Sequence, residues 1–176
     1  MEKDLNKIEI IAKEKEDENW IFRSFLKFYD EEIDSIVHEM YHVVSSKVDC
    51  TNCGNCCKKI QPILDTDDIT KLSKPLNINI VDFTDSFLKE DEDGNNVFKK
   101  QPCPFLENNK CTHYDSRPNA CVSYPHLHKK GFVSRLFGVI DNYSICPIVF
   151  NVYELLKKEL RDEFEEFEDE MEEYNY

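Results

Sequence analysis

The feature that most constrains this chain is a dense cysteine run, Cys50-Thr51-Asn52-Cys53-Gly54-Asn55-Cys56-Cys57. Two C-x2-C steps share Cys53, so three thiolates can converge from one tight loop. Gly54 permits the positive φ that such a loop often needs. Backbone amides in such loops can point at sulfur and stabilise thiolate charge. Because the same spacing serves zinc sites and iron–sulfur sites, the run predicts a metal centre and leaves the metal open.

The adjacent cysteines Cys56 and Cys57 add a second constraint. Side chains of neighbouring residues usually diverge, so both rarely face one mononuclear centre. Either one of the pair joins Cys50 and Cys53 while the other turns to a second site, or a polynuclear centre accepts both. The sequence leaves both arrangements open.

The remaining cysteines lie further along the chain, and two of them precede proline, in Cys103-Pro104 and Cys146-Pro147. Proline biases the residue before it towards extended backbone, and a Cys-Pro pair ends the ligand run of bacterial ferredoxins. Four thiolates satisfy one tetrahedral zinc or one four-iron cluster. Eight cysteines therefore indicate two sites, or one site and four spare cysteines that behave as small hydrophobes. The candidate metal ligands are Cys50, Cys53, Cys56, Cys57, Cys103, Cys111, Cys121 and Cys146.

Arg117, four residues before Cys121, is a candidate cofactor-binding residue. Its guanidinium could donate hydrogen bonds to sulfur or offset thiolate charge. The alternative is an ordinary surface ion pair. No residue is assigned a catalytic role.

Cysteine content alone is compatible with disulfides, metal ligands or catalytic thiols. The N-terminus has no apolar stretch long enough for a signal peptide, and no stretch approaches a membrane span. We therefore expect a cytoplasmic protein whose thiols stay reduced, which weakens the disulfide interpretation. The net charge is −14, and residues 159–176 hold ten acids and one Arg. Because there is no basic stripe, nucleic acid and anionic membranes are not expected partners.

Three segments are predicted: an N-terminal helical arm over 1–48, a cysteine-cluster metal-binding domain over 49–148, and an acidic C-terminal helix over 149–176. An apolar stripe predicts one amphipathic helix from Asn19 to Ser46. The residues before Glu14 are charged and are expected to fray or to form a separate short helix. The predicted fold is mostly α, with an irregular metal-organised cysteine-rich core, long N- and C-terminal helices and at most a small β-hairpin.

Local signals in the middle segment come from helix-start acids, prolines and turn residues. In chain order they predict a helix that starts at Asp65 and ends before Pro75, a helix over Val81–Lys89, a turn at Asp93-Gly94-Asn95 and a strand over Val97–Lys100. The segment Gly131–Ile140 is apolar and partly β-branched, which predicts a further strand.

The last helix, predicted over about 148–174, carries a narrow apolar seam whose members recur at spacings of four and three. The seam consists of Leu156, Leu160, Phe164, Phe167, Met171 and Tyr174. It packs against the N-terminal helix, or it binds a protein partner or a second copy of the chain.

Several short motifs recur in one order and carry a resemblance to a known family. They are Cys50-x2-Cys53-Gly54-x-Cys56-Cys57, Cys103-Pro104-Phe105-Leu106, Cys111-x2-Tyr114 and Arg117-Pro118-x2-Cys121-x2-Tyr124-Pro125. Over about residues 50–147 the chain resembles the YkgJ-type CxxCxxCC cysteine-cluster family of zinc- or iron-chelating domains. Tyr124 stands where that family's pattern has Phe, and Val122 where it has Arg. The resemblance implies metal chelation and fixes no reaction. A related group includes flagellin lysine methylases, which implies an enzyme by analogy alone.

Three further patterns are weaker. His38-Glu39-Met40-Tyr41-His42 matches the HExxH motif of zinc peptidases, but His42 lies nearly opposite the apolar stripe, so we interpret the pattern as a solvated helix face. His113, His126 and His128 are interpreted as surface or hydrogen-bonded histidines, although each could replace a cysteine ligand. Asp91-Glu92-Asp93-Gly94 resembles a calcium loop, but Lys89 occupies the first ligand position, so we interpret it as a turn.

The leading function is a cytoplasmic metal-binding protein. It holds an iron–sulfur cluster, with the four-iron type favoured, or zinc, and has a redox, electron-transfer or metal-handling role. One alternative is a zinc-stabilised protein-interaction module. Another is a metal-dependent enzyme such as a methyltransferase relative or an iron–sulfur oxidoreductase. Whether the protein is an enzyme stays open, with the balance against it.

Overall fold

The computed structural model describes residues 1–28 and 32–174. The helices are α1 (Leu5–Glu14), α2 (Glu16–Leu26), α3 (Glu32–Ser45), α4 (Cys50–Cys53), α5 (Asn55–Lys59), α6 (Thr66–Leu76), α7 (Ile80–Phe87), α8 (Asn119–Ser123), α9 (Leu136–Tyr143), α10 (Pro147–Glu159) and α11 (Arg161–Tyr174). The strands are β1 (Leu88–Glu90), β2 (Asn96–Phe98), β3 (Leu106–Glu107) and β4 (Lys110–Cys111). They form two antiparallel hairpins, β1–β2 and β3–β4. The predicted mostly α fold with little sheet is therefore confirmed.

The chain divides into two compact units. The first unit consists of residues 1–48 and 125–176, and the second of residues 49–124. The first seven cysteines lie in the second unit, whereas Cys146 belongs to the first.

The core of the first unit is aromatic where α2 meets α10 and α11. The Phe22 ring lies edge-on to Tyr153 and Phe164, with ring centroids 5.3 and 4.9 Å apart. Edge-to-face pairs of this kind add stability beyond the area that they bury. The ring centroids of Phe167 and Phe25 lie 5.6 Å apart. The beginning of the predicted seam thus packs against the N-terminal helices, while Met171 is exposed and the Tyr174 side chain lies outside the described part of the structure.

A buried lysine also ties α10 to α2. Lys157 is 8% exposed, and its Nζ donates to Glu18 Oε1 at 2.7 Å and to Asn19 Oδ1 at 2.5 Å. The Tyr153 hydroxyl donates to the Asn19 carbonyl at 3.3 Å. A buried cation is tolerated only when it is paired and hydrogen-bonded in this way.

The two long predicted terminal helices are each interrupted. α2 ends at Leu26 with the tightened i→i−3 hydrogen bonds Lys27 N–H to Ser24 O and Phe28 N–H to Phe25 O, and α3 begins after residues 29–31, which lie outside the described residues. The helix predicted over about 148–174 breaks at Leu160, whose φ of −100° and ψ of 25° are not helical. The charged segment before Glu14 forms α1, which Asp4 caps through the amides of Asn6 and Lys7.

The second unit is built on an apolar cluster that α6, α7 and the β1–β2 hairpin share. Its buried members are Leu64, Ile69, Leu72, Phe83, Leu88, Phe98 and Phe105. α6 starts at the predicted position with a capping box between Asp65 and Asp68. It continues through Pro75 to Leu76, so the predicted end before Pro75 was wrong. Asn77, with φ of 53°, closes the helix in the left-handed conformation.

Other predictions in the middle segment have mixed outcomes. The helix predicted over Val81–Lys89 is α7, and the strand predicted over Val97–Lys100 corresponds to β2. The Asp91 carboxylate accepts the backbone amides of Asp93 and Asn95, so this segment is a turn as interpreted from the sequence. The strand predicted over Gly131–Ile140 was wrong, because this segment forms a 3-10 turn and most of α9.

Candidate metal centre

The cysteine run folds as two short helical turns joined at Gly54. The Asp49 carboxylate caps α4 by accepting the Thr51 amide at 2.9 Å and the Thr51 hydroxyl at 2.6 Å. Gly54 has φ of 61°, which ends α4 and lets α5 start in a new direction. Cys50 and Cys53 therefore lie at the two ends of one turn, and Cys56 and Cys57 lie on the next.

Gly54 also allows a close approach between the cysteine run and the β3–β4 hairpin. The hairpin turn has positive φ at Asn108 (48°) and Asn109 (63°), as a tight two-residue connection requires. A Cβ at Gly54 would lie 2.8 Å from the Asn109 carbonyl oxygen. The hairpin that carries Cys111 thus packs directly on the loop that carries the first four cysteines.

Four thiols from separate parts of the second unit lie within electrostatic range of one another. They belong to Cys57, Cys103, Cys111 and Cys121. Burial, and then the charges of the other three, raise the pKa of Cys121 to about 12. Burial raises the pKa of Cys103 to about 11, with Cys57 and Cys111 contributing. A backbone hydrogen bond of 2.8 Å from the Cys103 amide to the Cys57 carbonyl brings these two segments together.

Two of these sulfurs accept backbone amides from two residues further on. The Phe105 N–H donates to Cys103 and the His113 N–H donates to Cys111, and each bond opposes the rise in pKa that burial causes. An amide aimed at sulfur favours the thiolate, because the hydrogen bond is stronger to the charged form. Both cysteines also pack against the apolar cluster of the second unit. The local backbone therefore aims one amide at each of two sulfurs at the edge of the hydrophobic core, although burial keeps the pKa of both thiols raised.

The adjacent pair is itself hydrogen-bonded. The Cys56 side chain, hydrogen-bonded to the Cys57 sulfur, is the main cause that lowers the pKa of Cys57 to about 7. Burial raises the pKa of Cys50, and the charges of Cys53 and Asp49 raise it further. Of the first four cysteines, Cys57 is the one that interacts with Cys103, Cys111 and Cys121.

Arg117 brings a positive charge to both groups of thiols. Its charge opposes the burial that raises the pKa values of Cys50, Cys111 and Cys121. The guanidinium carbon lies 3.6 Å from the centroid of the Tyr114 ring, and the buried Nε has no hydrogen-bond partner among the described residues. Buried donors are normally hydrogen-bonded, so a sulfur that accepts from Arg117 Nε would explain this unpaired donor.

The remaining candidates lie elsewhere. Cys146 is 6% exposed, precedes α10 in extended conformation, and lies in the first unit with His38, His42, His126 and His128. His113 lies in the second unit, with its ring 4.6 Å from that of Phe105. None of the eight cysteines, all within the described residues, forms a disulfide.

The chemistry of the donor set fits a thiolate-bound metal. Soft thiolates suit zinc and iron–sulfur centres, and amide and arginine donors offset their charge. As the side chains stand, no three His, Cys, Asp or Glu residues within 1–28 and 32–174 are placed to hold one ion together. The fit therefore rests on donor chemistry and on the hydrogen bonds to sulfur. A largely helical domain with a thiol-rich site of this kind belongs to the class of cysteine-cluster metal-binding domains.

Comparison with known proteins agrees with this class. The family model CxxCxxCC, described as "Putative zinc- or iron-chelating domain", matches residues 49–146, more than half of the chain. The chain belongs to the CxxCxxCC family, and the resemblance noted in the sequence is confirmed. No curated protein and no solved structure matches it. Within the described residues, no helix has both the length and the apolar character needed to cross a bilayer.

Proposed function

We propose that the protein holds an iron–sulfur cluster of the four-iron type, with Cys57, Cys103, Cys111 and Cys121 as its ligands. The observation that carries this proposal is the mutual electrostatic interaction of these four thiols. The amide hydrogen bonds to Cys103 and Cys111 support it, because they favour the thiolate state that a metal needs.

The charges of this group explain why a cation belongs there. Burial and mutual repulsion disfavour the ionised forms of Cys103 and Cys121, whose pKa values lie at about 11 and about 12. Metal binding reverses this balance, because the cation pairs with each thiolate and the thiol protons are released to solvent. Arg117 acts in the same direction, and its Nε is the donor that we assign to a ligand or cluster sulfur.

Cysteine number and spacing favour a polynuclear centre over a single ion. Seven cysteines lie in the second unit, three more than the four thiolates that one tetrahedral zinc ion takes. The Cys103-Pro104 pair matches the end of the bacterial ferredoxin ligand run. A bound cluster of this type supplies one-electron chemistry, so we propose a redox or electron-transfer role in the cytoplasm. Cys50, Cys53 and Cys56 are proposed as a second group of ligands, and Cys146 stays a predicted ligand.

Zinc is the second candidate for the same four thiols. Two amides that donate to sulfur two residues back also suit a tetrathiolate zinc site, which would supply folding energy instead of electrons. The family description covers both metals. In that case the role is metal handling or a zinc-stabilised interaction module.

Anaerobic purification followed by analysis for iron, zinc and acid-labile sulfide decides between the two. The proposal expects a brown protein with about four iron and four sulfide per site. Cys121→Ser should lose iron and colour, whereas Val122→Ala, a change at the exposed neighbouring position, should keep both. A colourless protein with stoichiometric zinc and no sulfide would replace the cluster with the zinc site. A wild-type protein without either metal would refute both assignments.

A further inference from the structure

Two histidines on α3 have the spacing of a metal-binding pair. His38 and His42 are four residues apart on one helix, so their Cβ atoms lie about 6 Å from each other. Side chains at this spacing can bind one ion together, which is the geometric basis of the HExxH motif. His38 is half-buried and His42 is exposed. The pair lies in the first unit and shares no residue with the cysteine centre.

A loop of the same unit, residues 126–135, is held against α3 by hydrogen bonds. The Asp34 carboxylate accepts the Gly131 amide at 2.6 Å and the Phe132 amide at 2.8 Å. Arg135 Nη2 donates to the Lys129 carbonyl at 2.6 Å and to the His126 carbonyl at 3.3 Å. These bonds satisfy backbone groups at both ends of the segment, so the loop is held in one position beside α3.

The loop also orients one of the two helix histidines. His38 Nε2 lies 3.2 Å from the Lys129 carbonyl oxygen. Because a carbonyl can only accept, His38 donates from Nε2 and its Nδ1 is left as the acceptor in the neutral ring. Histidine ligands of metals almost always donate their other ring N–H to a carboxylate, carbonyl or water, which fixes the ring and its tautomer. His38 already makes such a bond.

The same loop also carries a third imidazole, that of His128, near His38 and His42. The His128 ring lies 5.8 Å from Tyr41, which also contacts His42 at 5.7 Å. His128 is within electrostatic range of both His38 and His42. His42 and His128 are exposed, so their side chains border on solvent into which they can rotate.

We propose that His38, His42 and His128 form a second metal site, which takes a divalent transition metal such as Zn²⁺ or Ni²⁺ through neutral imidazole nitrogen. Imidazole is the ligand type that suits these ions. The three rings do not converge on one point as they stand, so binding requires rotation of His42 and His128. Lys129 and Arg135 lie nearby and repel a cation. The site is therefore weaker than a tetrathiolate centre and exchanges its metal readily.

The test uses full-length protein that already carries its cysteine-bound metal, titrated with Zn²⁺ and followed by calorimetry and by the imidazole resonances in NMR. We expect one additional equivalent of zinc, with selective shifts of three histidines. His42→Ala and His128→Ala should each weaken this equivalent by about tenfold or more. Glu39→Ala is the matched control, because Glu39 is exposed on the same helix and is not one of the three ligands.

Two results would overturn the proposal. One is that the metal-loaded protein takes up no zinc beyond the cysteine-bound amount. The other is that both histidine variants bind the additional zinc as tightly as Glu39→Ala does. Because both histidines are exposed, circular dichroism should show wild-type folding for these variants. Loss of the cysteine-bound metal would instead concern the proposal for the second unit, so the two failures are distinguishable.

Discussion

The substitution Gly54→Ala tests how closely the cysteine run packs on the β3–β4 hairpin. At the φ of 61° found there, an L-residue costs roughly 1–2 kcal/mol. The new Cβ would lie 2.8 Å from the Asn109 carbonyl oxygen and 3.0 Å from the Asn109 Cα. Both are backbone atoms of a turn, so the hairpin has to move, and such overpacking typically costs about 1–3 kcal/mol. We expect Gly54→Ala to lower the free energy of unfolding by about 2–5 kcal/mol in total.

Gly94→Ala separates the two contributions. Gly94 has φ of 79° and lies in the same unit, but no atom of the described part of the chain lies within 4 Å of its added Cβ. Gly94→Ala should therefore lower the free energy of unfolding only by the backbone cost of roughly 1–2 kcal/mol. The assay is urea unfolding of metal-loaded protein, together with metal content, which should fall in Gly54→Ala because Cys111 lies on the displaced hairpin. Equal loss of stability in the two variants, with full metal content in both, would refute the close-packing argument.

Three further predictions concern stability. Phe83→Ala removes a fully buried ring from the apolar cluster and should cost about 3–5 kcal/mol in chemical unfolding, whereas Val81→Ala, at an exposed position of the same helix, should stay within about 0.5 kcal/mol of wild type. Gly138→Ala should raise the free energy of unfolding by roughly 0.5–1 kcal/mol, because this glycine lies in α9 and an added Cβ would meet no atom of residues 1–28 and 32–174 within 4 Å; a lower free energy of unfolding would show that the helix needs the glycine. At Asp34, burial opposes ionisation, but the amides of Phe132 and Gly131 outweigh it and hold the pKa below its usual range. The stabilisation from the Asp34 carboxylate is present above the pKa of the unfolded state and is lost as pH falls through the pKa of the folded state. The difference in free energy of unfolding between wild type and Asp34→Asn should therefore narrow from about pH 6 to about pH 3. A difference that stays constant with pH would contradict the assignment.

Where the sequence carried local chemical signals, the fold could be predicted. The start of α6 follows from Asp65 and Asp68, because a capping box is a local arrangement of side chains and amides. The end of α6 could not be located from Pro75 alone. A proline in the last turn removes a single hydrogen bond, and tertiary packing of Ile69 and Leu72 outweighs that loss.

The segment over Gly131–Ile140 shows the limit of composition as a guide. Its apolar, partly β-branched composition suggested a strand, but the buried positions are Phe132, Leu136, Val139 and Tyr143. These recur at spacings of four, three and four, which is the period of a helix. Three of these four positions lie within the predicted strand, so the spacing of the apolar residues was a better guide here than their β propensity.

The candidate ligands could be identified from the sequence, but their grouping could not. The spacing within the run suggested Cys50, Cys53 and one of the adjacent pair as one group, because those residues are close in the chain. The interaction of Cys57 with Cys111 depends instead on how the β3–β4 hairpin packs on Gly54, which is a tertiary contact. Chain spacing indicates local geometry, whereas the grouping of thiols from four segments is determined by packing between those segments.

In the second unit, two of the proposed ligands also pack against the hydrophobic core. Cys103 and Cys111 pack against the cluster that contains Phe83 and Phe105, while their sulfurs accept amides of the same segments. Any change in the charge of these sulfurs therefore acts directly on the packing of the apolar cluster. Protonated thiols leave the two amides with weak acceptors, whereas thiolates paired with a cation strengthen both bonds. Because binding and folding draw on one set of contacts, the free energy of metal binding is also free energy of folding for this unit.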